Sequence, residues 1–234
     1  MKNEKKWKVV SIFIFISGIG SAVIFALYVV MGGILDPNYN QMADSISALT
    51  EAGAPNQGAL LTLYNWYGMI YILFTVLLVT LFWGKTNRLM SLGSVLLAIS
   101  AVISKFGVGL FLFNSDTSSA TFNNTMHFTI VSIVYVLTIA SMCLIATGCI
   151  IAIKYRDFGI YLLLLIFVFA LSGSLSTSMA GYGSPYMGLV EKISIGSLQV
   201  FVCSLSVFYM KNRFIAMEGD EVPVKSEDWV LKHY

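Results

Sequence analysis

A few charged and polar side chains stand where long apolar runs leave little room for water. Glu191 and Lys192 sit just before one such run, Lys105 lies inside another, and His127 opens a third. Carboxylates and an imidazole are acid, base and metal-ligand types. Asp44, Asp116, His127 and Glu191 could therefore hold a metal ion or move protons in a membrane-embedded hydrolysis. The same groups, with Asp36, Ser45, Ser47, Lys105 and Lys192, could instead hold the polar end of a lipid-like or amphiphilic ligand. Ionisable residues inside a membrane are costly and by default mark function. The sequence has two histidines, and the other is His233 near the C-terminus. Zinc hydrolase sites commonly use two or three, so a lone His127 at a helix start also reads as a cap or a pH-responsive interfacial residue.

The elements that must carry these residues are helices that cross a bilayer. A hydrocarbon core of about 30 Å needs roughly 20 apolar residues of helix. Six stretches meet that requirement, at about 9–33, 59–83, 89–113, 127–153, 158–180 and 186–210. Charged residues make up 11% of the chain, against about 25% in soluble domains, and apolar ones 57%. The expected fold is all-α, a bundle of six transmembrane helices in a single integral membrane domain, 1–234, with a tail over 211–234.

Orientation follows from the basic residues. Of the 14 lysines and arginines, all but Lys105 and Lys192 fall before the first span, in the second and fourth links, or after the sixth span. Such residues stay on the cytoplasmic side, so both termini are expected there, in a multi-pass protein of the cell membrane. Lysines ahead of the first helix also favour anionic membrane lipid. A net charge of +2 gives no reason to expect a nucleic-acid partner. The first span has a basic start but no small-residue cleavage site directly after it, and reads as an uncleaved helix. Cys143, Cys149 and Cys203 all lie inside spans, and no C-x-x-C, zinc-ligand or haem-attachment spacing occurs, so no cofactor is expected.

The outer links hold the candidate chemistry. In the first, 34–58, the run Asp44-Ser-Ile-Ser-Ala-Leu49 predicts a short helix with Asp44 or Ser45 accepting its first amides, stopped by Gly53 and Pro55. That helix could lie over the bundle top near His127, as a lid or as packing. In the third, Ser184-Pro185 predicts the start of the sixth helix. Helical rise then sets Glu191 about 9 Å along it and Lys105 about 12 Å below the outer end of the third, depths at which the two could pair. The hydroxyl-rich segment 172–181 of the fifth span reads as close packing, or as the wall of a wet cavity beside Lys105.

Asp36-Pro-x-x-Tyr39, Asp44-Ser-Ile-Ser-Ala-Leu49, Gly53-Ala-Pro55, Phe113-x-x-Asp116, His127 and Gly188-Leu-Val-Glu-Lys192 occur in an order that resembles the bacterial and archaeal multi-pass family named domain of unknown function 998. The resemblance runs from the first span to the sixth. A Ser-Ile-Ser element followed later by a His that opens the fourth span is also similar, more distantly, to the damage-regulated autophagy modulator family. The first resemblance implies the architecture and no activity. It also implies Glu-Arg where this chain has Glu191-Lys192, and Lys does not make a planar two-pronged contact with an anion.

Three functions remain open on the sequence: binding of a lipid-like amphiphile in the outer half of the bundle, metal-dependent hydrolysis there, and a structural or regulatory role with no ligand. Binding is favoured over transport, because the inner halves of the spans hold almost no ionisable residue.

Overall fold

The computed structural model describes residues 2–115 and 121–216. Six long helices dominate it: α1 Lys2–Leu35, α2 Gln57–Phe82, α3 Arg88–Ile103, α4 Phe122–Ile151, α5 Arg156–Gly181 and α6 Met187–Ala216. Each carries a span of 21 to 30 residues, long and apolar enough to cross a membrane, and no strand occurs among the described residues. The protein is an all-α, multi-pass membrane protein. Its outward faces stay apolar, with Leu110, Val136, Ile160 and Phe167 all exposed, as a lipid-facing surface requires.

Each helix packs on its sequence neighbours, and α6 returns to α1, so the six close into a ring. Short links make adjacent antiparallel helices the simplest outcome, and small residues let them approach. Gly93 of α3 is one such position, where an added Cβ would stand 2.9 Å from the Ser141 carbonyl of α4, and the Ser141 hydroxyl donates to Gly93 O at 2.8 Å. Across the ring, α2 and α6 meet through side chains: Gln199 Nε2 donates to the Tyr67 hydroxyl at 3.0 Å, and Phe82 meets Tyr209 edge-on.

One end of the ring carries both ends of the described chain. The other, the loop end, carries the link between α1 and α2 with its short 3-10 helix, Ile46–Thr50.

Several boundaries differ from the sequence expectation. The regular part of α3 stops at Ile103 and continues as a π turn, Ser104–Val108, with Phe111 to Asn114 outside any helix. A Gly at 107 and another at 109 weaken the regular ladder there. Helix α4 begins at Phe122, five residues before His127, because the Thr121 hydroxyl accepts the Asn124 amide. Helix α6 runs on to Ala216, into the segment expected as tail. Residues 217–234, the rest of that tail, lie outside the described residues.

Candidate functional site at the loop end

The loop between α1 and α2 is ordered by its own side chains first. Asp36 Oδ1 accepts the Asn38 amide at 2.9 Å and Asp44 Oδ2 accepts the Asn40 amide at 2.7 Å, local turns of the kind short carboxylates favour. Ser45 caps the 3-10 helix by accepting the Ala48 amide at 3.2 Å, and its hydroxyl pairs with that of Ser47 at 2.9 Å. Asp44 is therefore occupied upstream, and of the two expected residues Ser45 is the cap. Asn56 sits at a left-handed φ of 58° and its side-chain amide donates to Leu35 O at 2.9 Å, closing the loop onto the end of α1.

The loop then docks on α1, α2 and the start of α6. Leu49 is buried against Gly32, where any Cβ would stand 2.5 Å from Leu49 Cδ2. Tyr28 donates to Ile46 O at 3.0 Å, and the Tyr39 hydroxyl shares its proton between Asp44 O and Ser45 O at 3.2 and 3.0 Å. Burial, reinforced by the nearby Glu191 carboxylate, pushes the Tyr39 phenol above its ordinary range, so it stays a donor.

Helix α6 completes the dock through the Gly188-Leu-Val-Glu-Lys192 motif. Gly188 lets the Asp44 backbone lie against the helix, since a Cβ there would meet Asp44 O at 2.1 Å. The Leu189 amide donates to Met42 O at 2.9 Å, and Glu191 Oε2 accepts the Ile46 amide at 2.8 Å. Lys192 Nζ reaches Gln41 O, Asp44 O and Gly188 O at 3.0, 2.9 and 3.3 Å, with the Tyr39 ring 5.0 Å away. An ammonium has three protons, and here three carbonyls take them. Lys192 is a backbone clamp.

A family model described as "Protein of unknown function (DUF998)" matches residues 19–207, which includes the whole of this dock. The chain belongs to the DUF998 family. No curated protein and no solved structure matches it. In this DUF998 chain the residues that carry the family resemblance are, for the most part, the ones that bind the first loop to α6.

The remaining candidates lie elsewhere. His127 is buried on α4, and its Nδ1 lies 2.7 Å from Phe111 O; a carbonyl can only accept, so Nδ1 carries the proton. Phe113 and Phe128 flank the ring. With Asn124, whose side chain pairs both backbone groups of Asn114, and Asn123, which donates to Leu112 O, His127 fixes the irregular chain after α3. The 3-10 helix makes no contact with α4, so the expected place beside His127 is corrected. Among the described residues, one link to that side is Glu51, which accepts the Ser115 amide at 3.0 Å. Asp116 lies outside the described residues. Among the described residues no group of three His, Cys, Asp or Glu could hold a metal.

Lys105 does not meet Glu191, contrary to the depth argument. Matching heights say nothing about direction: Glu191 turns to the loop, while Lys105 turns to α2. Its stem lies over Gly68, where a Cβ would stand 2.2 Å from Lys105 Cδ, and its Nζ donates to Asn65 Oδ1 at 2.6 Å. The Tyr64 and Phe106 rings lie 6.0 and 5.7 Å from the ammonium. The hydroxyl-rich end of α5 is not beside it, because α4 stands between α3 and α5 in the ring. Those hydroxyls mostly bond back to their own helix, as Thr177 to Gly173 O at 3.1 Å and Ser178 to Ser174 O at 3.1 Å. Asn65 and Gly68 were not among the expected site residues, although Asn65 in an apolar span was an available signal, and Tyr39 was noted only as part of a family motif.

Proposed function

We propose that this chain binds an anionic, lipid-like amphiphile at the loop end of the bundle, with the ligand's head on Lys105 and Asn65, where α2 and α3 meet. One observation carries the reading. Lys192 spends its three protons on backbone carbonyls, whereas the hydrogen-bond partner of Lys105 among the described residues is a neutral amide, with aromatic faces around it. A cation in a membrane span keeps its charge favourably when a counter-charge is present. An anionic headgroup supplies one, and the apolar surface formed by Trp66, Met69 and Phe106, all exposed, suits the chain that follows. In this proposal the loop end faces outward across the cell membrane and the termini lie in the cytoplasm, as the basic residues require.

The test is lipid mass spectrometry of the purified protein beside its Lys105→Met variant. Wild type should carry an anionic amphiphile through purification, and the variant should lose it while remaining monodisperse with an unchanged helical spectrum. Equal lipid content in the two proteins would overturn the proposal.

A second reading has its own support. The polar groups of the first loop are satisfied by the chain itself, which suits a role in fastening helices with no ligand at that loop. Under it, loop variants lower stability and leave bound lipid unchanged.

A further inference from the structure

A groove of about 560 Å³ runs along the outer face of α6 at the end opposite the loop. Gln199 closes it at mid-bundle with its amide turned inward to Tyr67, and Lys211 stands exposed at its other end. Twelve residues of helix separate the two, about 18 Å, close to half of a hydrocarbon core of about 30 Å. The groove therefore has the length of one leaflet.

Its walls are apolar or self-satisfied. Phe158 of α5 stacks on Phe208 of α6, ring centroids 3.7 Å apart, and the Tyr161 hydroxyl pairs with that of Ser204 at 3.0 Å. Val207 lines the groove beside Ala22, and Val200, exposed, stands at its rim. An apolar channel one leaflet long with a cation at its headgroup end matches a molecule with a chain and an anion at that separation.

From this geometry we infer that the groove seats one acyl chain of an anionic phospholipid from the leaflet on the termini side, its phosphate paired with Lys211. The site lies in the opposite leaflet from Lys105 and rests on none of the residues assigned to the headgroup contact there. A second copy of the chain, packed through α6, is the competing occupant.

The experiment places the photocrosslinker p-benzoylphenylalanine at Val200, on the groove's exposed rim, in the full-length protein. The protein is reconstituted in vesicles of equal phosphatidylglycerol and phosphatidylcholine. After irradiation, mass spectrometry should find a phospholipid adduct on the α6 peptide, with phosphatidylglycerol captured about fivefold over phosphatidylcholine, the factor one surface lysine contributes toward anionic lipid. Lys211→Gln, a change at an exposed position, should bring that ratio to about one. Val207→Trp should abolish capture by filling the groove, and Lys105→Met should leave it unchanged, which separates this site from the other. Equal capture of the two lipids by wild type, no lipid adduct, or a crosslink to a second copy of the chain would each overturn the inference.

Discussion

The carboxylate of Glu191 accepts the amide of Ile46 at 2.8 Å across 145 residues of sequence. The amide belongs to the first residue of the 3-10 helix, one of the donors that a helix start leaves without an internal partner. A residue of the last helix thus caps an element of the first loop.

Glu191→Gln should be tolerated, because the amide oxygen still accepts from Ile46. Glu191→Leu should leave that buried donor unmet and lower stability by about 1–3 kcal/mol. Thermal melting of the two variants in one detergent checks the difference, and equal losses would remove the capping role.

Gly188→Ala should be as damaging as Glu191→Leu although it deletes no hydrogen-bonding group. The added methyl would press on the Asp44 backbone, 2.1 Å from its carbonyl oxygen, and backbone moves less readily than the end of a side chain. Hydrogen exchange over residues 44–50 should rise in this variant and stay slow in Gly196→Ala, where no atom stands within 4 Å of the new Cβ.

Gly68 and Lys105 should be coupled. Gly68→Ala drives a methyl into the lysine stem, so it should destabilise the protein alone and do so much less in a Lys105→Ala background. A double-mutant cycle by melting should give a coupling within about 0.5–3 kcal/mol. Additive losses would show that the stem does not lie on Gly68.

The Tyr39 phenol gives the loop dock a pH limit. Folding raises its pKa above the ordinary 10.0, so the folded state binds this proton more tightly than the unfolded state. The stabilisation is complete below about pH 10 and is lost as pH rises toward the folded value. Exchange protection of residues 44–50 should therefore fall above about pH 10 in wild type. In Tyr39→Phe it should start lower and change less over the same range.

Much of the architecture was legible because a bilayer imposes a length and a composition that six stretches satisfy. The cap at Ser45 was legible too, since local chemistry decides it. The partner of Lys105 was not: depth along a helix can be counted, but a π turn at Ser104–Val108 changes the direction of a side chain, and Gly107 and Gly109 mark a weak ladder there without giving that direction. Lys192 misled for a related reason. A charge near a span reads as a ligand contact until the backbone carbonyls around it are known. The place of His127 was misread because the Thr121 cap started α4 earlier, turning an expected helix-start residue into a buried one.

The closed ring of helices also sets an order of events during synthesis. Packing between sequence neighbours allows the helices to assemble in pairs as the ribosome delivers them. The first loop cannot complete its dock on the same schedule, because Gly188, Glu191 and Lys192 belong to α6, made after the other five helices. Residues 36–56 can settle on α1 and α2 early, but they lack their α6 partners until α6 inserts and meets α1. Docking of the loop is thus a completion signal: a nascent chain truncated after α5 should expose residues 44–50 to protease, and the full-length chain should shield them.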